Sequence, residues 1–426
     1  MLLDYDILIV GAGPAGCAAA YDLARAGRRV LLLDRRTFPR PKACACGLTR
    51  KTLAALRYSV EPITERICHE IVLQNTTEVR VRTRKPIAVM AVRERFDAFC
   101  LRQTLAAGAE LRKIEGILAL RESADGIELD ITTTDGPETL RAAVLIGADG
   151  SNGQTRRLAE ATSKSTGAPS MTASSSWVGS DPTWYTRGFA LEACVPYADL
   201  PAMLPGGGNA HDLVFDFAPL PGGYGWLFPK GDHINIGVGA FAPESNKTQL
   251  KQVTRALLTD YAARKLGVRE LPHITGQHLG MGGHTYVPRG RVLLTGDAAG
   301  LCDPLTGEGI HSAIVSGQAA AAAILQVMPP LKSALKGTGF SPSVSSRGKQ
   351  GALSPEGSLA ASYAQHLRPL LQTLAFSHRA ARAFYATPER GFRAMRTPLL
   401  RSLILKTYAD GVPQTRMITA IAKLLC

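Results

Sequence analysis

The chain opens on an apolar run over residues 6 to 10 that ends at a glycine turn. It continues through Ala18 to Arg25 with helical composition and returns to a second apolar run, Arg29 to Leu33, closing on Asp34. Short apolar runs around an amphipathic stretch predict a β-α-β unit. Between Leu111 and Ile146, three segments rich in Leu, Ile and Thr are separated by Ala124-Asp125-Gly126 and Asp135-Gly136-Pro137. These separators are turn signals, so the segments predict a β-meander. From about Met171 to Tyr286 the texture changes to short strands, aromatics and Gly/Pro turns, which predicts a second domain around a sheet. Val292 to Leu294 returns to a buried strand, and Gln318 to Met328 is an alanine-rich helix. Pro329 to Leu359 is a Ser/Gly/Lys/Pro segment poor in large apolar residues, the composition of a disordered linker or surface insertion. The tail after it is helical by pattern.

The expected fold is therefore α/β: a Rossmann-type nucleotide-binding domain, an inserted mainly antiparallel β domain and a helical C-terminal tail. The boundaries expected are residues 1–165 for the first part with its meander, 166–286 for the inserted sheet and 287–328 for the return. Residues 329–359 form the linker and 360–426 the tail.

Composition narrows the class. At 426 residues with 45% hydrophobic content, the chain suits a main domain plus smaller pieces able to bury a large ligand. No uninterrupted apolar stretch reaches bilayer length, so no transmembrane helix is expected. Met1 to Val10 reads as a strand rather than a signal sequence, lacking a basic leader and a cleavage site. Eight irregularly spaced cysteines fit a reducing cytoplasm.

The net charge of +14 raises nucleic acid, anionic ligands and anionic membrane as partners. No recognition motif accompanies the charge, so nucleic acid is not expected. From Arg379 onward, Arg379, Arg382, Arg390, Arg393, Arg396, Arg401, Lys406, Arg416 and Lys423 face only Glu389 and Asp410. They are interleaved with Phe384, Leu399, Leu400, Leu403, Ile404 and Leu405. Two readings stand side by side: a tail resting on an anionic membrane surface, or the solvated face of packed helices.

Three separate segments carry the nucleotide chemistry. Gly11-Ala12-Gly13-Pro14-Ala15-Gly16 lies between the first strand and the first helix, where backbone amides and the helix N-terminus meet a pyrophosphate. Gly11 allows the tight turn, Gly13 the approach of phosphate and Gly16 close helix–strand packing. Asp34, followed by Arg35, comes at the interval where a carboxylate accepts bonds from a ribose. The second segment is Ile146-Gly147-Ala148-Asp149-Gly150. The third is Leu294-Thr295-Gly296-Asp297-Ala298-Ala299-Gly300, continuing through Pro304 and Gly307-Glu308-Gly309-Ile310.

In this order the segments resemble the FAD-binding fold of para-hydroxybenzoate hydroxylase-like flavoproteins, over roughly residues 4 to 330. The resemblance implies FAD as cofactor, with Asp297 on the ribitol chain and the helix after Gly309 aimed at the flavin pyrimidine. Arg93, just before Phe96-Asp97, falls where that superfamily often has a cofactor-contacting arginine; a surface arginine at a helix start is the other reading. No second glycine-rich β-α-β unit appears. The resemblance then implies that NADPH or another reductant visits transiently.

Pro219-Leu220-Pro221-Gly222-Gly223-Tyr224-Gly225-Trp226-Leu227-Phe228-Pro229, followed by Gly237-Val238-Gly239, resembles the Y-x-W-x-F-P motif and trailing G-x-G of the geranylgeranyl reductase family. Alternating Tyr224, Trp226 and Phe228 would point one way and line one cavity wall before Pro229 ends the strand; a core stripe is the plain alternative. Lys42-Ala43-Cys44-Ala45-Cys46-Gly47-Leu48 resembles the family's K-x-C-G-G-G-L loop over the flavin, with Ala45 and Cys46 replacing two glycines. Cys44 matches the family cysteine. Cys46 is an extra thiol, and one of the two is expected near Cys302, with reversible pairing set against ordinary buried cysteines.

In that family reduced FAD saturates isolated double bonds of a polyprenyl chain carried by a diphosphate, ether lipid, pigment precursor or quinone. Protonation of an alkene develops cation character, which Tyr224 and Trp226 would stabilise. The expected catalytic residues are Cys44, Tyr224 and Trp226. Cys46, Phe228, Pro229, Gly237 and Gly239 would line the substrate cavity. The proton donor is open between Cys44, Tyr224 and water. The alternatives are a monooxygenase or halogenase on the same fold, though the W-x-W-x-I-P pattern of halogenases is missing, or a membrane-associated flavin electron carrier. No metal site is expected; a prenylated molecule is the expected partner, the expected location is the cytoplasm or its membrane face, and the oligomeric state is open.

Overall fold

The computed structural model describes residues 3–165, 187–241, 251–328 and 358–411. Most of the expected 329–359 insertion, the first part of the inserted domain, and Arg416 and Lys423 lie outside them. Tyr5–Val10, Val30–Asp34, Glu110–Lys113, the end of Gly136–Gly147 and Val292–Leu294 pair in parallel. The helices Pro14–Arg25 and Ile310–Val327 cover one face. Alternation along the strands explains the layering: Ile7, Ile9, Val30 and Leu32 meet the helices, whereas Leu8, Val10, Leu31 and Leu33 meet Ile117, Ile127, Leu129 and Leu140 of the meander. Strands buried on both faces read as continuous apolar runs.

The meander differs from expectation at its start. The segment expected as its first strand is two strands: Glu110–Lys113 joins the parallel sheet beside Val30–Asp34, and the meander begins at Gly116–Ser123. The break falls where the Ile114 amide bonds to Asp34 and the next amide, Glu115, bonds to Thr132. Gly136–Gly147 serves both layers, pairing with Gly126–Thr133 and then with Tyr5–Val10.

The second sheet runs in the order Thr275–Gly280, Arg187–Pro196, His233–Ala240, Gly223–Pro229, Val214–Asp216, Glu70–Gln74, Glu78–Arg82. Its last two strands come from within the first 165 residues, so the inserted domain is not confined to 166–286. One face packs Ile234, Ile236 and Val238 against the helix Arg255–Leu266. The other face carries Tyr224, Trp226 and Phe228 and turns toward the nucleotide half.

Ile310–Val327 is the one helix among the described residues long and apolar enough to cross a bilayer, with a mean hydropathy of 1.4. It is a core helix. A Cβ at Gly317 would lie 2.2 Å from the Ala15 carbonyl, so this glycine sets the close crossing with Pro14–Arg25. Leu359–Ala386 packs on its far side, held by the Tyr363 hydroxyl donating to the Leu294 carbonyl at 2.7 Å.

Pro388–Met395 and Pro398–Asp410 fold the tail over the second sheet. Phe384 and Phe392 meet Phe217 with ring centroids 5.0 and 5.6 Å apart, and Leu405 is buried. Arg379, Arg382, Arg390, Arg393 and Arg396 face outward. The described part of the tail is thus a set of packed helices with a basic outer face, although Ile404 remains 41% exposed.

Candidate active site

Backbone builds the nucleotide end. Gly11 has φ +102°, and a Cβ there would lie 2.4 Å from the Ala148 carbonyl oxygen, joining the first two cofactor segments. A Cβ at Gly16 would stand 1.9 Å from the Gly11 carbonyl oxygen. At Gly13 a Cβ would meet only Arg40 Nη2, at 3.6 Å, so the space above the turn is open and faces a guanidinium. Asp34 accepts from the Ala12 and Arg36 amides, both at 2.8 Å, which fixes its carboxylate beside the turn. Arg35, exposed, lies at the cavity mouth.

Arg93 is not a surface residue. It is 8% exposed, with Nε 2.7 Å from Asp97 Oδ1, while Arg40 Nη2 lies 3.2 Å from Asp97 Oδ2. Two guanidinium groups on one buried carboxylate leave a net positive charge near Gly13, suited to a diphosphate. The open cradle and this charge fit the pyrophosphate of FAD.

Asp149 does different work from that expected of a cofactor ligand alone. Its Oδ2 accepts from the Thr155 amide at 2.9 Å and hydroxyl at 3.0 Å, fixing the start of Thr155–Ser165. Asp149 and Gly150, with φ +79°, still line the cavity. Asp297 is pressed against the third segment's turn, since a Cβ at Gly309 would lie 3.2 Å from its Oδ1. Gly309 caps Ile310–Val327 without a side chain, and Gly307 turns with φ +67°. Asp297, Gly307, Gly309 and Ile310 all face the cavity, as do Gly11, Gly13 and Ala15. Gly16 packs beneath it.

The aromatic end opens into the same cavity, of about 850 Å³. Tyr224, Trp226 and Phe228 line one wall with Phe215 and Tyr408. Phe215 meets Tyr224 and Phe228 at 5.2 Å centroid distances. The Tyr224 hydroxyl donates to the Thr306 carbonyl beside Gly307, tying this wall to the third cofactor segment. Trp226 Nε1 donates to Asn235 Oδ1 at 2.7 Å.

Gly237 and Gly239, expected as cavity residues, lie behind the wall. Cβ atoms there would stand 2.0 Å from the Trp226 indole and 2.3 Å from Phe241. They make room for rings and contact no ligand space; Pro229, at the strand end, is likewise outside the lining.

The Cys44 loop sits between the two ends, with Cys44 and Cys46 lining the cavity. Cys46 has φ +48°, a left-handed conformation costing about 1 kcal/mol in an L-residue. That explains why glycine suits this position, and Ala45-Cys46 keep the loop path despite its loss. The Cys46 amide donates to Cys44 Sγ at 3.4 Å. All seven cysteines among the described residues are unbridged. Cys302 is buried behind Gly309, off the cavity lining, and no hydrogen bond joins it to Cys44 or Cys46.

Residues 4–329 match the family model described as FAD binding domain. Digeranylgeranylglycerophospholipid reductase 2 of Methanosphaera stadtmanae is 29% identical over 74% of this chain and 76% of its own. Menaquinone reductase of Mycobacterium tuberculosis is 30% identical over 79% and 81%. The chain belongs to the geranylgeranyl reductase family of FAD-dependent oxidoreductases.

A geranylgeranyl bacteriochlorophyll reductase-like structure from Thermoplasma acidophilum shares the fold of this reductase-family chain over 90% of both chains, with 20% identity and a TM-score of 0.64. The flavin-dependent brominase Bmp2 shares it over 95% and 93%, with 16% identity and a TM-score of 0.64. Likeness at this level concerns the fold alone.

Three polar residues escaped the sequence reading of this reductase-family chain. Glu192, Lys230 and Asn235 line the cavity around the Cys44 loop. Glu192 Oε1 accepts from the Cys44 amide at 2.7 Å. Lys230, 2% exposed, donates from Nζ to the Ala45 carbonyl at 2.5 Å. Their signal was present but faint: one acid in Phe189-Ala190-Leu191-Glu192-Ala193-Cys194, and one lysine directly after the motif proline. Burial lowers the Lys230 pKa, opposed by the surrounding thiols and Glu192. Cys44 is held well below the usual thiol range by its hydrogen bond from Cys46 and by Arg93, against burial; Cys46 is raised in exchange.

Proposed function

We propose that this oxidoreductase saturates isolated carbon–carbon double bonds of a polyprenyl chain. The carrying observation is the continuity of one cavity from the Gly11 turn, past the Cys44 loop, to the wall of Tyr224, Trp226 and Phe228. Bound FAD, once reduced, supplies the hydride.

The chain's own residues supply the rest. The glycine turn with Arg40 and Arg93 holds the diphosphate of the cofactor. The aromatic wall seats an apolar chain, excludes water and faces developing positive charge with ring faces. Relatives named as reductases of a digeranylgeranyl phospholipid and of menaquinone support the same chemistry here. A nicotinamide or other soluble reductant visits transiently, and the basic outer face of the tail helices suits an anionic membrane holding a lipid substrate.

Mass spectrometry of prenyl lipids, quinones and pigments, with and without the gene, tests the proposal. The expected result is a gain of two hydrogens per saturated bond in one prenyl class. No change in any prenyl mass would contradict it.

A further inference from the structure

Alkene reduction consumes a proton, and the candidates visible in sequence do not supply it well. The Tyr224 hydroxyl donates to the Thr306 carbonyl, and burial pushes its pKa far up. Cys44 is held toward the thiolate by the Cys46 hydrogen bond and Arg93. A thiolate has no proton to give.

The cavity holds another acid. Glu192 on Arg187–Pro196 is in register with Gly237, and Gly237 with Trp226. Residues in register across a sheet share a face, so Glu192 stands on the face that carries the indole. It is 7% exposed. An indole N–H only donates, so the Trp226 bond fixes the Asn235 oxygen and turns the Asn235 amide toward Cys194 Sγ, at 3.6 Å, and Glu192. Glu192 Oε1 is engaged by the Cys44 amide, which leaves Oε2 to carry a proton.

We infer that Glu192 is the proton donor of the reaction, an inference that rests on the prenyl-reductase reading. The Glu192 O–H bond breaks as a C–H bond forms at one alkene carbon, while the other carbon takes the hydride that bound, reduced FAD would supply. One proton and one hydride thus add across one double bond, with two electrons passing to the alkene. The carboxylate left behind is held by the Cys44 and Asn235 amides and faces the charge of Lys230 at longer range, and water at the cavity mouth returns the proton.

The electrostatics agree with this role. Burial raises the Glu192 carboxyl to about 8 and the Cys44 charge adds to the rise, while the Cys44 amide, Asn235 and Lys230 pull it down; Cys194 is a further titratable neighbour. An acid poised near working pH gives up and regains its proton most effectively.

The test compares wild type, Glu192→Gln and Glu192→Asp as holoenzymes, following anaerobic saturation of geranylgeranyl diphosphate across pH. Infrared difference spectra without substrate read the protonated carboxyl directly. Glu192→Gln is expected to retain FAD, lose the carboxyl band seen at neutral pH, and lose at least about 100-fold in turnover. Glu192→Asp is expected to keep part of the activity with a displaced pH profile, and wild-type activity to fall as pH rises through about 8. Wild-type saturation with Glu192→Gln close to it, or with no such band, overturns the inference alone. A wild type that saturates no prenyl chain overturns the reading and the inference together.

Discussion

The two ends of the cavity are made differently. At the nucleotide end, the contacts are backbone: Gly11, Gly13 and Gly16 bring chain segments and a helix start close together, and the side chains that help are charged groups paired on Asp97. At the aromatic end the glycines serve side chains, with Gly237 and Gly239 leaving volume that Trp226 and Phe241 fill. The first end recognises a nucleotide common to many flavoproteins. The second shapes what the flavin meets, and there a family earns its reaction.

Substitutions at the two ends should therefore fail in different ways. Gly16→Val, placing side-chain carbons within 2 Å of the Gly11 carbonyl, should abolish FAD binding and with it all activity, read as flavin per protein after purification. Tyr224→Ala combined with Trp226→Ala should leave FAD bound and abolish turnover; loss of FAD would break the division between the ends. Gly237→Ala pushes the indole aside and should keep FAD while lowering turnover about 100-fold, because displacements near 1 Å cost that much.

The smallest effect is on stability. The Glu192 carboxyl at about 8 lies above its ordinary 4.5, so between those values the folded chain holds a proton that the unfolded chain has shed. Stability attributable to this group falls as pH rises through that window and levels off above it. Melting curves should show Glu192→Gln gaining on the wild type by more above pH about 8 than at pH about 5, by a few degrees at most. Parallel pH curves would place Glu192 in solvent contact.

Much of the nucleotide half was legible because its elements are local: apolar runs, a glycine turn at fixed spacing and an acid closing the second strand. The aromatic wall was legible through strand alternation and a motif. Other features depended on pairings across long stretches of chain. The break at Ile114 is set by bonds to Asp34 and Thr132, and Glu70–Arg82 joins the second sheet through Val214–Asp216. Arg93 looks like any helix-start arginine until Arg40 and Asp97 close around it. The glycines of the G-x-G could be placed near the site, but not behind Trp226 and Phe241, since sequence gives no depth. Glu192 becomes chemical only when strand register sets it beside Gly237 and the Cys44 loop folds onto it.

The central claim is that this cavity passes hydride to an isolated alkene. Its most direct test is anaerobic: chemically reduced holoenzyme mixed with geranylgeranyl diphosphate, following flavin absorbance and product mass together. Flavin reoxidation without oxygen is expected, matched by two hydrogens gained per flavin turned over. Flavin that stays reduced until oxygen is admitted, with the prenyl mass unchanged or raised by oxygen, would contradict it.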